Sequence, residues 1–270
     1  MRRMLLVTTI VAMATMGWAA LAAVPAGAVV RSAADLAADC NDDGLVTITE
    51  NTQYIGGSAD IWGHELFPGV NMCRVDIAKD GLSLALINVN LRAKGNVSFN
   101  IGQSSSRANT SVTVAYSTID MHPPEYDGGF VSIKSGCCGG FPGEHDTTVV
   151  VVGNTLRGTS IELGASLAAP NGRLTLTGNS VTATGDTLAG APDIEIRTSV
   201  GAFGPGVNGR INALLNRFSA PGGLEAVSGV SGNTWFVANN FSGVSGGVTL
   251  TTGAGGSCTS FLNGPGIVCS

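Results

Sequence analysis

The sequence predicts an all-β protein, a right-handed parallel β-helix of about six to seven coils with disulfide-stapled ends. Three observations carry this prediction. A strand phrase ending in Asn recurs at unequal spacing, a second alternating phrase falls between its copies, and glycine is abundant without a collagen period. The 270 residues include 39 Gly, and 44% are hydrophobic against 12% charged and 6% aromatic. That balance excludes a charge-rich disordered chain. A formal charge of −5 excludes the basic surface that a nucleic-acid binder needs.

The elements follow in chain order. Arg2 and Arg3 precede an apolar stretch over residues 5–24, and Ala26-Gly27-Ala28 has the small-x-small form of a cleavage site. Residues 1–28 therefore read as a secretory leader, with an uncleaved membrane anchor as the competing reading. The twin arginines lack the rest of a Tat context, which favours the general export route. Loss of Arg2 and Arg3 takes the 14 basic side chains to 12 against 19 acidic ones, a mature charge of −7. No other long apolar run occurs. The expected product is soluble, secreted or held in the cell envelope, with no affinity for nucleic acid or anionic lipid.

Residues 29–72 read as an N-terminal cap with a first strand near 46–52. Asp39, Asn41, Asp43 and Glu50 fit the calcium-loop pattern D-x-[DN]-x-[DN]-G-x5-E, so Ca²⁺ is the one cofactor expected. The alternative is a polar turn before that strand. His64 and Glu65 read as cap surface. All six cysteines follow the leader, which fits an oxidising compartment. Of the fifteen complete pairings, chain position favours Cys40–Cys73, Cys258–Cys269 and the adjacent pair Cys137–Cys138.

Residues 73–252 carry the repeat, and 253–270 a C-terminal cap. The clearest copy covers 149–156, four valines and then Gly153, Asn154, Thr155 and Leu156. Further copies run to Val181, Phe218 and Phe241, with Asn179, Asn216 and Asn239 at the Asn position. An earlier copy has Ser117 at the Asn position, and in the loosest one Asn88 and Asn90 flank it. From Ser117 onward the separations are 37, 25, 37 and 23 residues, which describes a fixed unit with variable loops. The second phrase begins at Val97, Val131, Ile161, Ile194, Leu224 and Val248, alternating apolar and polar residues. One such unit cannot bury its apolar side, but a stack can. Coils about 4.8 Å apart place each Asn over the next, where the amides satisfy one another. An antiparallel sandwich, the rival architecture, gives less reason to repeat Asn at one phase. Both ends look stapled, so a monomer is expected.

These phrases, with the run from Cys73 through Val75, Asp76 and Ile77, make the chain resemble secreted parallel β-helix proteins of the pectate-lyase-like superfamily over about residues 40–255. The resemblance implies a fold and not an activity, because that fold carries lyases, hydrolases, epimerases and adhesins. The Asn-Thr-Asp, His-Gly and Arg-Ile-Lys signatures of its pectin hydrolases do not occur, and the only Asp-Asp is Asp42-Asp43.

The alternation supplies a candidate face. If Ile161, Leu163, Ile194, Ile196, Leu224 and Ala226 point inward, then Glu162, Glu195 and Glu225 form an outward column above Ser132. Lys134 and Arg197 fall in the neighbouring column. Stacked carboxylates repel and need cations, either these two side chains or Ca²⁺. Adjacent coils are too close for inverting glycoside hydrolysis, which needs roughly 6.5–9.5 Å between carboxyls. Calcium-assisted elimination on a uronate polysaccharide fits better. There Lys134, Glu162, Glu195 and Arg197 are the catalytic candidates and Glu225 is a binding one. Two long loops should wall the groove. One contributes His122, Glu125 and Asp127, the other Glu144, His145 and Asp146. The competing readings are an exposed ion-pair ladder and a non-catalytic surface or adhesive protein, favoured by the scarcity of sugar-stacking aromatics.

Overall fold

The computed structural model describes residues 27–103, 107–135, 145–165, 171–185, 192–198, 208–228, 231–253, 255–263 and 267–269. Most of the expected leader, the Cys137–Cys138 pair and Glu144 lie outside these residues.

Apart from one helix the described residues are all-β, with three sheets running along a right-handed parallel β-helix. Sheet one has nine strands, from Val29–Arg31 to Ser257–Phe261. Sheet two has seven, from Ser58–Ile61 to Asn240–Val244. Sheet three runs from Leu45–Ile48 to Ile267–Cys269. One coil visits each sheet once, as in Thr148–Val152, Thr155–Gly158 and Ile161–Ala165. The seven strands of sheet two mark seven full coils, with an incomplete coil at either end. The expected strand over 46–52 is two strands, Leu45–Ile48 in sheet three and Thr52–Ile55 in sheet one, with a corner between them. Stacked neighbours are parallel; the hairpin of His64–Phe67 with Val70–Ile77 is the antiparallel exception.

The alternation in sequence becomes an inside and an outside. Leu84, Val112, Val149, Leu174 and Ile211 share one register line of sheet one, and all are buried. With the inward residues of the other sheets they form one continuous core. Each such side chain contributes about 1.5–3 kcal/mol by leaving water, which is why the stack holds together where a single coil does not.

The corner between sheets one and two is tight and repeated. Asn88, Tyr116, Gly153, Gly178, Leu215, Ala238 and Leu262 occupy it with φ between 51° and 66°. The next residue in each coil points inward: Val89, Ser117, Asn154, Asn179, Asn216, Asn239 and then Asn263. The Asn179 amide donates to Val151 O at 2.7 Å and to Asn216 Oδ1 at 2.8 Å. Its Oδ1 accepts from Asn154 N at 2.9 Å and from Asn154 Nδ2 at 3.0 Å. Ser117 keeps part of this pattern, since its Oγ accepts from Val89 N at 3.2 Å and donates to Ala115 O at 2.9 Å.

The ends are closed differently. Helix α1, Ala33–Asp42, packs against Ser58–Ile61 and covers the first coil. Its start is a capping box, in which Asp35 N donates to Ser32 Oγ at 3.2 Å and Ser32 N to Asp35 Oδ2 at 2.7 Å. The apolar face Ala33, Leu36, Ala37 and Cys40 lies at helical spacing and is buried. Cys40 joins Cys73 of sheet three, and Cys258 joins Cys269 between the two last edge strands, both pairings as expected. Among the described residues no helix is long and apolar enough to cross a membrane.

Candidate functional site

Pairing in sheet three aligns Ser132, Glu162, Glu195 and Glu225 on four successive coils. Lys134, Gly164, Arg197 and Val227 form the next outward line. The inward neighbours Ile161, Leu163, Ile194, Ile196, Leu224 and Ala226 are buried, which fixes the glutamates outward. The sequence-based assignment of this face therefore matches the observed register.

Both cations on the strip are engaged. Lys134 Nζ lies 2.5 Å from Glu162 Oε2, and Ser132 Oγ donates to the same oxygen at 3.0 Å. The Lys134 side chain is only 7% exposed and lies against that carboxylate. Arg197 Nη2 bridges Glu195 Oε1 at 3.0 Å and Glu225 Oε2 at 2.9 Å. Its Nε is buried without a hydrogen-bond partner. Three carboxylates thus share two cations. Partial burial pushes the Glu195 carboxyl above its ordinary 4.5; the Arg197 charge opposes this, and the charges of Glu162 and Glu225 add to it. A cavity of about 300 Å³ adjoins the strip, with Glu162 and Glu195 on one wall and Phe130 and Pro192 on another.

The expected loop walls divide. Glu125 turns toward sheet two, where Arg92 Nη2 donates to its two oxygens at 2.7 and 2.8 Å. That guanidinium holds the Glu125 carboxyl below its ordinary value. The His122 ring packs on Gly128, where a Cβ would come within 2.5 Å of it, and Asp127 is exposed. From this segment Phe130 reaches the cavity beside the glutamates. His145 and Asp146 pair with each other at 2.9 Å at the entry to Thr148–Val152 of sheet one. The His145 hydrogen bond, followed by one from Asn171, lowers the Asp146 carboxyl.

The candidate calcium ligands are not brought together in a loop. The capping box starts a helix that runs through Asp42, so Asp39 and Asn41, two residues apart, point about 200° apart around its axis. Asp39 binds Arg31 at 2.9 Å. The Asn41 side chain is spent on backbone, accepting from Trp62 N and Gly63 N and donating to Asp60 O. Asp43 is the C-cap, and Glu50 is exposed in the following corner. Among the described residues, no group of three or more His, Cys, Asp or Glu is placed to hold a metal ion.

Sequence reasoning missed a second outward line, Asp60, Arg92, Asp120 and Arg157 on sheet two. Its signal was present, because the residues hold equivalent positions in strands 58–61, 90–93, 118–120 and 155–158. It also missed Asp193, which is buried beside the cavity and accepts a hydrogen bond from Gly222 N.

Compared with known protein families, characterised proteins and solved structures, the chain matches none. Fold and strip together define the class: a parallel β-helix with an acidic, cation-bridged strip on one sheet.

Proposed function

We propose that this chain is an exported β-helix protein of the pectate-lyase-like kind that binds an extracellular polysaccharide along sheet three. The observation that carries the reading is the strip itself: Glu162, Glu195 and Glu225 on successive coils, sharing Lys134 and Arg197 beside a cavity of about 300 Å³. Carboxylates at regular spacing suit the hydroxyls of a sugar chain laid along the axis. Burial raises the Glu195 carboxyl above its ordinary 4.5, toward a proton-donating role, which supports processing as well as binding. On a uronate chain, Arg197 or an added Ca²⁺ would face the substrate carboxylate.

A second reading, a non-catalytic envelope or adhesive protein, is favoured by one observation: each glutamate of the strip already has an ion-pair partner. One experiment separates the two. The purified protein is offered a panel of neutral and acidic polysaccharides with calcium or with chelator, and both binding and unsaturated-uronate absorbance are followed. The Glu162→Gln, Glu195→Gln double variant runs alongside. Calcium-dependent product lost in the variant assigns a lyase, and retained binding without product assigns a binding module. Neither, from a folded sample, assigns the structural role.

A further inference from the structure

We propose that the outward face of sheet one is a binding surface for an anionic polysaccharide, apart from the strip on sheet three. Arg173 opens the strand Arg173–Thr177, Arg210 opens Arg210–Leu214, and the two stand in register on adjacent coils. Both residues are exposed, and neither guanidinium lies within ion-pair distance of a carboxylate among the described residues. Asp146 feels the Arg173 charge, but its hydrogen bonds go to His145 and Asn171. Like charges set directly opposite each other cost stability. The fold does not ask for them, because Ser111, Thr148, Asn233 and Ser257 fill the same register line on other coils. The neighbouring outward line holds Trp235, 42% exposed, among Thr175, Asn212 and Thr259. Smaller polar residues serve at those equivalent positions, so the indole is not there to fill the core.

The charge of this face points to the ligand. None of the nine strands of sheet one carries Asp or Glu, although the chain as a whole has a formal charge of −5. Its third cation, Arg31, sits on the first edge strand and pairs with Asp39. The remaining two guanidiniums stand about 4.8 Å apart at the backbone, a pair of forks for carboxylate or sulfate oxygens. Trp235 lies one coil further on and two residues along from Arg210, about 8 Å away at the backbone. One sugar chain can therefore reach both, with a ring on the indole and its charged groups on the arginines. Asn212, Thr175 and Thr259 lie beside it as partners for hydroxyls. A second copy of this chain fits less well. Two such faces set against each other repel through like charges, and the glutamates of sheet three already have ion-pair partners. A lipid surface calls for apolar residues where these two lines carry Thr175, Asn212, Asn233 and Ser257.

The test titrates oligogalacturonate and a sulfated dextran oligosaccharide into the purified protein, with uncharged maltohexaose as control, by calorimetry and tryptophan fluorescence. Each titration is repeated in the Glu162→Gln, Glu195→Gln variant, so that binding at sheet three is read separately. Saturable binding of at least one anionic probe is expected in both backgrounds, weakened by added salt and absent for maltohexaose in the glutamate variant. The two anionic probes tell carboxylate from sulfate recognition. The Arg173→Gln, Arg210→Gln double variant should lose roughly ten-fold or more in affinity, and Trp235→Ala roughly five-fold or more. The arginines are exposed, so their variant should fold, and it decides alone should Trp235→Ala fail to fold. Four results would each overturn the assignment: no binding of either anionic probe, affinity unchanged without the arginines, binding that disappears with the glutamates, or adsorption to phosphatidylglycerol vesicles in place of the glycans. The two faces are read by different variants, so failure on sheet one leaves the strip on sheet three untouched.

Discussion

Two stacks of identical residues run along this molecule, and they obey opposite rules. The asparagines at the corner of sheets one and two are buried and satisfy one another, because an amide is both donor and acceptor. The glutamates of sheet three face outward and cannot do this, because a carboxylate only accepts. Their repetition depends on Lys134 and Arg197 from the adjacent line. Sheet two provides the contrast: Asp60, Arg92, Asp120 and Arg157 alternate in sign, so each charge has an opposite one in register on the next coil. A repeated Asn is explained by the fold. A repeated Glu is not, and that is why the strip on sheet three is the candidate site.

The sharpest way to break this comparison is inside. Asn179→Ala leaves Asn154 N, Asn154 Nδ2, Val151 O and Asn216 Oδ1 short of a partner. A loss of roughly 3–5 kcal/mol is expected from denaturant unfolding. A loss near that of an exposed substitution would mean that the ladder follows from packing and does not support it.

Arg197→Gln tests the strip, since it leaves Glu195 and Glu225 facing each other. A loss of about 1–3 kcal/mol is expected, recovered in part by salt because the pair is not fully buried.

Glu195→Gln should do the reverse and stabilise by up to about 1 kcal/mol near neutral pH. The sign follows from linkage. Burial raises the folded-state carboxyl of Glu195 above 4.5, so its favourable contribution is complete below that value and is lost as pH rises through the folded-state value. Unfolding curves of the wild type and the variant should therefore converge at acid pH. Divergence toward acid would contradict the assignment.

The smallest effect is expected at Asp120→Asn on sheet two, where like charges are already kept apart. Its melting temperature should shift least of the four, and salt should change the shift little.

Much of this was legible in the sequence. The Asn phrase gave the ladder and the corner, and strict alternation at Ile161, Leu163, Ile194 and Ile196 gave the outward glutamates. Alternation has a period of two, so a register error would have moved every glutamate into the core. What alternation does not encode is partner choice. Glu125 went to Arg92 and not to the groove, a long-range ion pair formed across coils whose loop conformation no local pattern sets. The cap helix was also readable, with Ser32 and Asp35 as a capping box and apolar residues at 33, 36, 37 and 40. The calcium-loop pattern overlapped its last turn and suggested a loop there.

The stacking has a further consequence in the length of the rod. Nine strands of sheet one make eight steps, so the ends stand roughly 38 Å apart at ~4.8 Å per step. Residues added to the loops widen the molecule without lengthening it, whereas one more coil lengthens it by a fixed increment. The β-helix is in that sense a ruler graduated in coils. Whatever is attached at its two ends is held at a distance set by the repeat number and indifferent to the bulk on its flanks.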